Sequence, residues 1–276
     1  VPANDHLSRT ITNHLYDSNE VTRVSQSIVL GIGGAKVVEQ LGGADIYHLN
    51  EGHGLPAFYH LRDKGITREQ MVFTTHTPEK AGNEERDAMH LNRCGFFGRT
   101  LPHHELEKEA VNDFNINYTV SALRMAKRTN AVSKLHAVVS NRMWKEYEGI
   151  SEIIPITNAQ NQNYWQDKRI KKAWEQRNPG TYKRRKKALK KQLFEEVFRQ
   201  TGKQFDPNTL TIVWARRFAG YKRADLLLHD QERFQRLIHN ADRPLQIIWA
   251  GKPYPFDYYA IDVFNLSLIH ISDGAR

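Results

Sequence analysis

The sequence predicts an α/β protein built on parallel β-sheet, and three observations carry that reading. A strand, a loop, a helix and a second strand follow one another over residues 45–75. The same order returns over residues 210–250. Two strands joined through a helix pair in parallel, because strands of one direction need a crossover between them. Finally, 39% of the 276 residues are apolar, enough core for one large or two ordinary domains. No run approaches the roughly 20 apolar residues that cross a bilayer.

Taken in order, residues 27–30 open an apolar run into Gly31-Ile32-Gly33-Gly34, and residues 35–41 continue at helical spacing up to Gly42-Gly43. Residues 45–49 read as a buried strand ending in the loop Asn50-Glu51-Gly52-His53-Gly54. A helix over 56–64 follows, with Pro56 in its first turn, where the N–H it lacks would have no partner anyway. Residues 71–75 form the next strand and end in Thr74-Thr75-His76-Thr77-Pro78. Residues 81–115 are polar, with Gly95, Gly98 and His103-His104, and are expected to be surface excursions rather than core. Helices are expected over 119–127 and 134–147, with a short apolar run at 153–157 and a domain boundary near Thr157. Beyond it, strands are expected at 210–215 and 245–250, with a helix over 224–240 between them.

The formal charge of +9 is local in origin. Residues 168–191 carry 12 Lys or Arg against Glu175 alone, a net +11, so the remaining chain sums to −2. That stretch also holds Leu189 and runs on into Leu193, Phe194, Val197 and Phe198, so its expected form is a solvated, amphipathic surface helix. Contact with nucleic acid is the sharper alternative, but Trp174 and Tyr182 are sparse as stacking partners and nucleic acid is not the expected partner. A single cysteine, Cys94, excludes a disulfide framework and a cysteine-ligated zinc site.

The densest chemistry is Arg216-Arg217-Phe218-Ala219-Gly220-Tyr221-Lys222-Arg223, four cations between an expected buried strand and an expected helix. Ligands of open parallel sheets bind beyond the carboxyl ends of the strands, and a helix N-terminus there adds unpaired N–H groups. Guanidinium and ammonium groups at that junction describe an anion pocket, most simply for phosphate. Lys252 closes the next strand and is a weaker candidate for the same edge. His53, flanked by Gly52 and Gly54, could bond a sugar hydroxyl, act as a base or cap a turn, and taken alone it reads as structural; His76 is equally ambiguous. His48 and His53 lie five apart, not at the spacing of a helical zinc pair. Gly31-Ile32-Gly33-Gly34 is only half of a dinucleotide-binding fingerprint and is rejected as one.

Together these segments resemble a known family. Ile28-Val-Leu-Gly-Ile-Gly-Gly34, Tyr47-His-Leu-Asn-Glu-Gly-His53, Phe73-Thr-Thr-His-Thr-Pro78, Asn130-Ala-Val-Ser-Lys-Leu-His136, Ile156-Thr-Asn158, the Val213 to Arg223 run and Ala250-Gly-Lys252 look like the α-glucan (glycogen/maltodextrin) phosphorylases of the shorter prokaryotic type. The resemblance covers residues 1–265. It implies the GT-B architecture, a pair of Rossmann-like domains, with both expected to be incomplete in this chain. Residues 1–157 would be the C-terminal part of the first domain and 158–265 the start of the second.

The resemblance also implies a reaction and its residues. The terminal glucosyl unit of an α-1,4-glucan would pass to inorganic phosphate, giving glucose 1-phosphate with retention. Arg217 and Lys222 match the cations that hold the substrate phosphate and the phosphate of the cofactor, pyridoxal phosphate, and Arg216 matches a further basic position. His53 and Asn158 match residues that bond the glucosyl unit, with Val132 on a nearby loop. Glucan or maltodextrin and phosphate are the implied partners, the cytoplasm the implied compartment, and a homo-oligomer is left open.

Three departures qualify the match. Ala159-Gln160-Asn161-Gln162 replaces the family's usual Gly-Val-His-Thr after Asn158. No Met precedes a Lys, so the Gly-Met-Lys segment whose lysine carries the cofactor is absent. Residues 266–276 match nothing in the family and read as a translated sequencing adapter, a non-native tail, so an internal fragment that is inactive alone is expected. Two alternatives are a GT-B glucosyltransferase that uses a nucleotide sugar, of the glycogen-synthase kind, and a non-catalytic polyanion binder.

Overall fold

Four short parallel strands organise the first half of the chain, and they bury Met71, Phe73, Ala131 and Ile153 in its core. In the computed structural model, which describes residues 3–15, 17, 19–255 and 257–273, the strands of the first half are β1 (Tyr47–Asn50), β2 (Met71–Thr75), β3 (Glu85–Asp87), β4 (Asn115–Asn117), β5 (Arg128–Ala131) and β6 (Ile153–Pro155). The main sheet runs β1-β2-β5-β6, every pair parallel, and β3 and β4 form a separate antiparallel pair. The chain divides into two compact units, the first ending at Ala159 and the second beginning at Gln160.

Helices cover the sheet of the first unit. Pro56–Asp63, Tyr118–Met125 and Lys134–Trp144 bury Phe58, Leu61, Val120, Leu123 and Trp144. The stretch 81–115, expected to be surface excursions, proves to be part of the core. Leu91, Phe96, Phe97 and Leu106 are buried there, and the rings of Tyr59 and Phe97 meet edge to face at 4.8 Å. Its polar composition is that of the outward faces of two short helices, Ala88–Arg93 and His103–Glu109, which turn Ala88, Leu91 and Leu106 inward while Met89 stays exposed.

The glycine motif near the start opens no phosphate loop. It forms a π-helical turn, Val29–Gly33, between the helices Glu20–Ile28 and Gly34–Gln40. Gly31 lies against the turn that carries His53: a Cβ at residue 31 would stand 2.7 Å from the Ala57 nitrogen and 2.9 Å from the Gly54 oxygen. The run therefore reads as a packing device.

The second unit holds β7 (Leu210–Ala215) and β8 (Leu245–Ala250), parallel and in register from Leu210 opposite Leu245 to Ala215 opposite Ala250. Two expectations are corrected. Strand β7 is not buried: Leu210, Ile212 and Val213 are exposed, because β8 is its one sheet partner among the described residues. The helix expected over 224–240 begins only at Gln231 and ends at Ile238, because Arg223 takes a left-handed conformation at φ 52° and Asp230 caps the later start. Before the strands, Lys168–Glu175 and the long basic helix Pro179–Thr201 pack as a hairpin. The last helix is Tyr258–Asp273; of the stretch 266–276 expected to be foreign, residues 274–276 lie outside the described residues. Among the described residues no helix is long and apolar enough to cross a membrane.

Candidate functional site

A parallel sheet sends all its strand ends to one edge, so the loops after β1, β2, β5 and β6 gather there. They bring His53, His76, Val132 and Asn158 to the carboxyl edge of the first unit. Val132 is held on both sides: its N–H donates to Nδ1 of His136 at 3.2 Å, and its carbonyl accepts the N–H of Asn158 at 3.0 Å. Ser133 caps the Lys134–Trp144 helix by accepting the His136 N–H at 3.1 Å, which seats the imidazole under Val132. An Nδ1 that accepts leaves the ring proton on Nε2, which is buried with no hydrogen-bond partner among the described residues. Burial pushes the His136 pKa below the ordinary histidine value; Glu51 pulls it up and His76 pushes it down.

Glu51 is the strained hinge of this edge. Its φ of 66° is one a side chain rarely adopts, and three bonds hold it there. Its N–H donates to the Thr74 carbonyl at 2.9 Å, and its carboxylate accepts the His76 N–H at 2.6 Å and the Thr77 hydroxyl at 3.0 Å. Side chains of three neighbouring strands are also linked. Thr74 gives its one hydroxyl proton to Asn130 at 2.6 Å and therefore accepts from Nε2 of His48 at 2.7 Å.

His53 stands apart from this network. Its Nδ1 lies 3.7 Å from Glu84, which also pairs with Arg23 and, at 3.6 Å, with Arg86. The ring forms one wall of a pocket of about 280 Å³ lined also by Thr12, His14, Arg23 and Gln26. Val132 and Asn158 are thus brought together, whereas His53 and Asn158 follow the two outer strands. Three strand spacings, about 14 Å, separate those strands.

In the second unit the cationic segment continues the pairing of β7 with β8. The Arg216 N–H donates to the Ala250 carbonyl at 3.0 Å and the Phe218 N–H to the Lys252 carbonyl at 3.1 Å. Gly251 makes this approach feasible, since a Cβ there would sit 1.9 Å from the Arg216 oxygen. Phe218 is buried against Trp214 and Phe264, with ring centroids at 4.8 and 5.1 Å, and anchors the strap. Arg216 and Arg217 remain exposed and Lys222 half-buried. The Tyr221 phenol lies within the electrostatic reach of both Arg217 and Lys222, and the Lys222 Nζ lies 4.4 Å from the centre of its ring. Burial pushes the Tyr221 pKa up, but the two cations outweigh it and hold the phenol below the ordinary tyrosine value. The helix dipole expected here is absent from the strap, because the Gln231–Ile238 helix starts eight residues after Arg223 and spends its first turn on Asp230, which accepts the Arg233 N–H at 2.9 Å.

Sequence reasoning missed Glu51, Glu84, His136 and Tyr221. Glu51, His136 and Tyr221 lie inside the quoted motifs, so their signal was present; Glu84 has no local signal, because its partners come from distant segments. Among the described residues no three His, Cys, Asp or Glu gather to hold a metal ion.

Fold and site together define an α/β protein with polar and cationic residues on the carboxyl edges of parallel strands. The chain is homologous to the glycogen and maltodextrin phosphorylases over 93% of its length. It is 32% identical to a maltodextrin phosphorylase of Thermococcus litoralis, of which it covers 37%, and 30% identical to a glycogen phosphorylase of Mycobacterium tuberculosis, of which it covers 38%. It is 48% identical, over 96% of its length, to an uncharacterized protein of Methanocaldococcus jannaschii, of which it covers 51%. The chain thus spans about half, or less, of the curated relatives it matches. No family model matches it.

Proposed function

We propose that this chain is the glucosyl- and phosphate-binding region of an α-glucan phosphorylase, formed by parts of the two Rossmann-like domains of a GT-B fold, residues 1–157 and 158–265. One observation carries the reading: two cations of the strap that follows β7, Arg217 and Lys222, act on one group, the Tyr221 phenol, and the Lys222 Nζ stands 4.4 Å from the centre of its ring. Two cations that together favour the anionic form of one group suit a phosphate, whose oxygens accept charge-assisted hydrogen bonds far better than a phenol does.

In the proposed reaction the bond from C1 of the terminal glucosyl unit to the glucan oxygen breaks. A bond from C1 to a phosphate oxygen forms on the same face, and the proton that this phosphate gives up ends on the departing glucan oxygen. Arg217 and Lys222 lower the repulsion met by the incoming phosphate and stabilise the charge-separated transition state. Arg216 adds positive potential. His53, Asn158 and the Val132 backbone orient the sugar. The cationic pair Arg217 and Lys222 beside Tyr221 also fits the phosphate of pyridoxal phosphate, which when bound supplies an acid–base phosphate group; this sequence contains no Met-Lys pair to offer its covalent lysine. The same reading makes an α-1,4-glucan and inorganic phosphate the partners and the cytoplasm the compartment.

Calorimetry with inorganic phosphate, and with maltoheptaose, tests the assignment on this chain. Phosphate binding that weakens at least about tenfold in Arg217→Gln and again in Lys222→Gln is expected, each being the loss of one charged hydrogen bond. Phosphate affinity indifferent to both substitutions overturns it. Glucose 1-phosphate formation is expected only when a chain carrying the Gly-Met-Lys lysine is supplied together with pyridoxal phosphate.

A further inference from the structure

The basic hairpin of the second unit has two faces that differ in chemistry. On one side of the Lys168–Glu175 helix lies a groove of about 610 Å³ lined by Trp174, Arg177, Asn178, Pro179 and Tyr182. On the other side lies a groove of about 620 Å³ lined by Gln162, Asn163, Gln166, Lys168, Lys171 and Lys172. Glu175 borders both. We propose that this groove pair binds single-stranded nucleic acid, with phosphates along Lys168, Lys171 and Lys172 and a base against Trp174 and Tyr182.

The platform is built rather than loose. Asp167 caps the Lys168–Glu175 helix by accepting the N–H groups of Arg169 and Ile170, and its other oxygen pairs with Arg185 of the long helix at 2.7 Å. The link between the helices is equally fixed. Arg177 turns at φ 49°, the Asn178 N–H donates to the Ala173 carbonyl at 2.8 Å, and the Asn178 side chain caps the next helix at Thr181. Trp174 and Tyr182 are thereby held on one groove. Trp174 is 75% exposed, an indole presented to solvent on an ordered frame.

Charge complementarity selects the occupant. Among the described residues Lys168, Lys171 and Lys172 make no ion pair, and the 24-residue segment around them carries a net +11. A neutral sugar chain would use the aromatic wall but not the lysines. A folded acidic protein would use the lysines without needing a flat ring beside a narrow groove. A single strand uses both, since its phosphates follow cations while its bases stack on aromatic rings. The sequence undervalued this because Trp174 and Tyr182 lie eight residues apart and meet only across the turn. The proposal stands independently of the phosphorylase reading.

Fluorescence anisotropy of the whole chain with a labelled oligothymidylate of about ten nucleotides tests it. Expected is a dissociation constant of about 1–100 µM, with a slope of log K against log salt near −2, as three phosphate contacts give. Trp174→Ala, at an exposed position, should weaken binding roughly 5- to 150-fold, the range of one lost base stack. Lys171→Gln with Lys172→Gln should flatten the salt slope. Absence of binding at low salt overturns the proposal, as does affinity unchanged by Trp174→Ala. Heparin bound as tightly and equally insensitive to Trp174 would also overturn it, by revealing only a polyanion surface. Displacement of the oligonucleotide by maltoheptaose, or binding to phosphatidylserine vesicles in its place, would do the same.

Discussion

The backbone N–H of Val132 donates to Nδ1 of His136, and the carbonyl of the same Val132 receives the N–H of Asn158. One buried imidazole therefore fixes the peptide after β5 that is bonded to Asn158, three residues beyond β6. The bond exists only while Nδ1 is unprotonated, so it is sensitive to acid.

The sign of that sensitivity follows from the lowered pKa of His136. The unfolded chain takes up a proton near the ordinary value of about 6.5 and the folded chain only at lower pH. The contribution is thus fully present above about pH 6.5 and is lost as pH falls through the unfolded value toward the folded one. Thermal melts from about pH 8 to pH 5 should show the wild type losing stability on acidification more steeply than His136→Asn. Parallel pH profiles for the two proteins would exclude the linkage.

Gly31 and Gly33 sit in the same helical turn but meet different surroundings. A methyl group at residue 31 would press on the Ala57 nitrogen at 2.7 Å, whereas at residue 33 nothing lies within 4 Å. Gly31→Ala should cost about 1–3 kcal/mol through overpacking. Gly33→Ala should be neutral or stabilise by up to about 1 kcal/mol, the difference in helix propensity. Urea denaturation of both variants separates the two effects, and equal midpoints would contradict the packing role.

Glu51 endures its backbone strain because its carboxylate holds the His76 N–H and the Thr77 hydroxyl. Glu51→Ala keeps the strain and removes both bonds. A loss of about 1.5–3 kcal/mol is expected, the worth of a hydrogen bond to a charged group. Chemical denaturation gives the number, and a loss below about 0.5 kcal/mol would mean that solvent replaces the carboxylate without cost.

The phenol of Tyr221 reports on the two cations around it. Removing one of them in Arg217→Gln should raise its pKa toward the ordinary tyrosine value, because a positive charge that favours the phenolate is lost. Ultraviolet titration, taken as the difference from the matching Tyr221→Phe protein, isolates this phenol from the other tyrosines. Phosphate added to the wild type should shift the pKa in the same direction by drawing the cations away, and a phenol unmoved by either change would show that the cations do not share it.

Much of the site was legible because its signal is local. Strands 71–75, 210–215 and 245–250 have the bounds their apolar runs indicate, and the loops after β1, β2, β5 and β6 and the strap after β7 carry the motifs that were singled out. The polar stretch 81–115 misled because burial of Phe96 and Phe97 depends on Tyr59 and Tyr118, which lie outside it. The helix after Arg223 was drawn too long because one left-handed residue and a later Asp cap outweigh helical spacing.

By itself the sequence determined the α/β class, the strand–helix–strand order of its two parallel segments, the resemblance to α-glucan phosphorylases and the position of the cationic strap, all of which rest on periodicity, turn residues and motifs read within a few residues. Only the tertiary structure decided that Gly31 packs a helix, that Glu84 joins His53 to Arg23, that His136 holds Val132, and that Trp174 and Tyr182 share a groove. The physical reason is distance along the chain and direction in space: burial and hydrogen bonding are settled by the side chains that arrive from elsewhere, and a linear pattern records neither which ones arrive nor how they are turned.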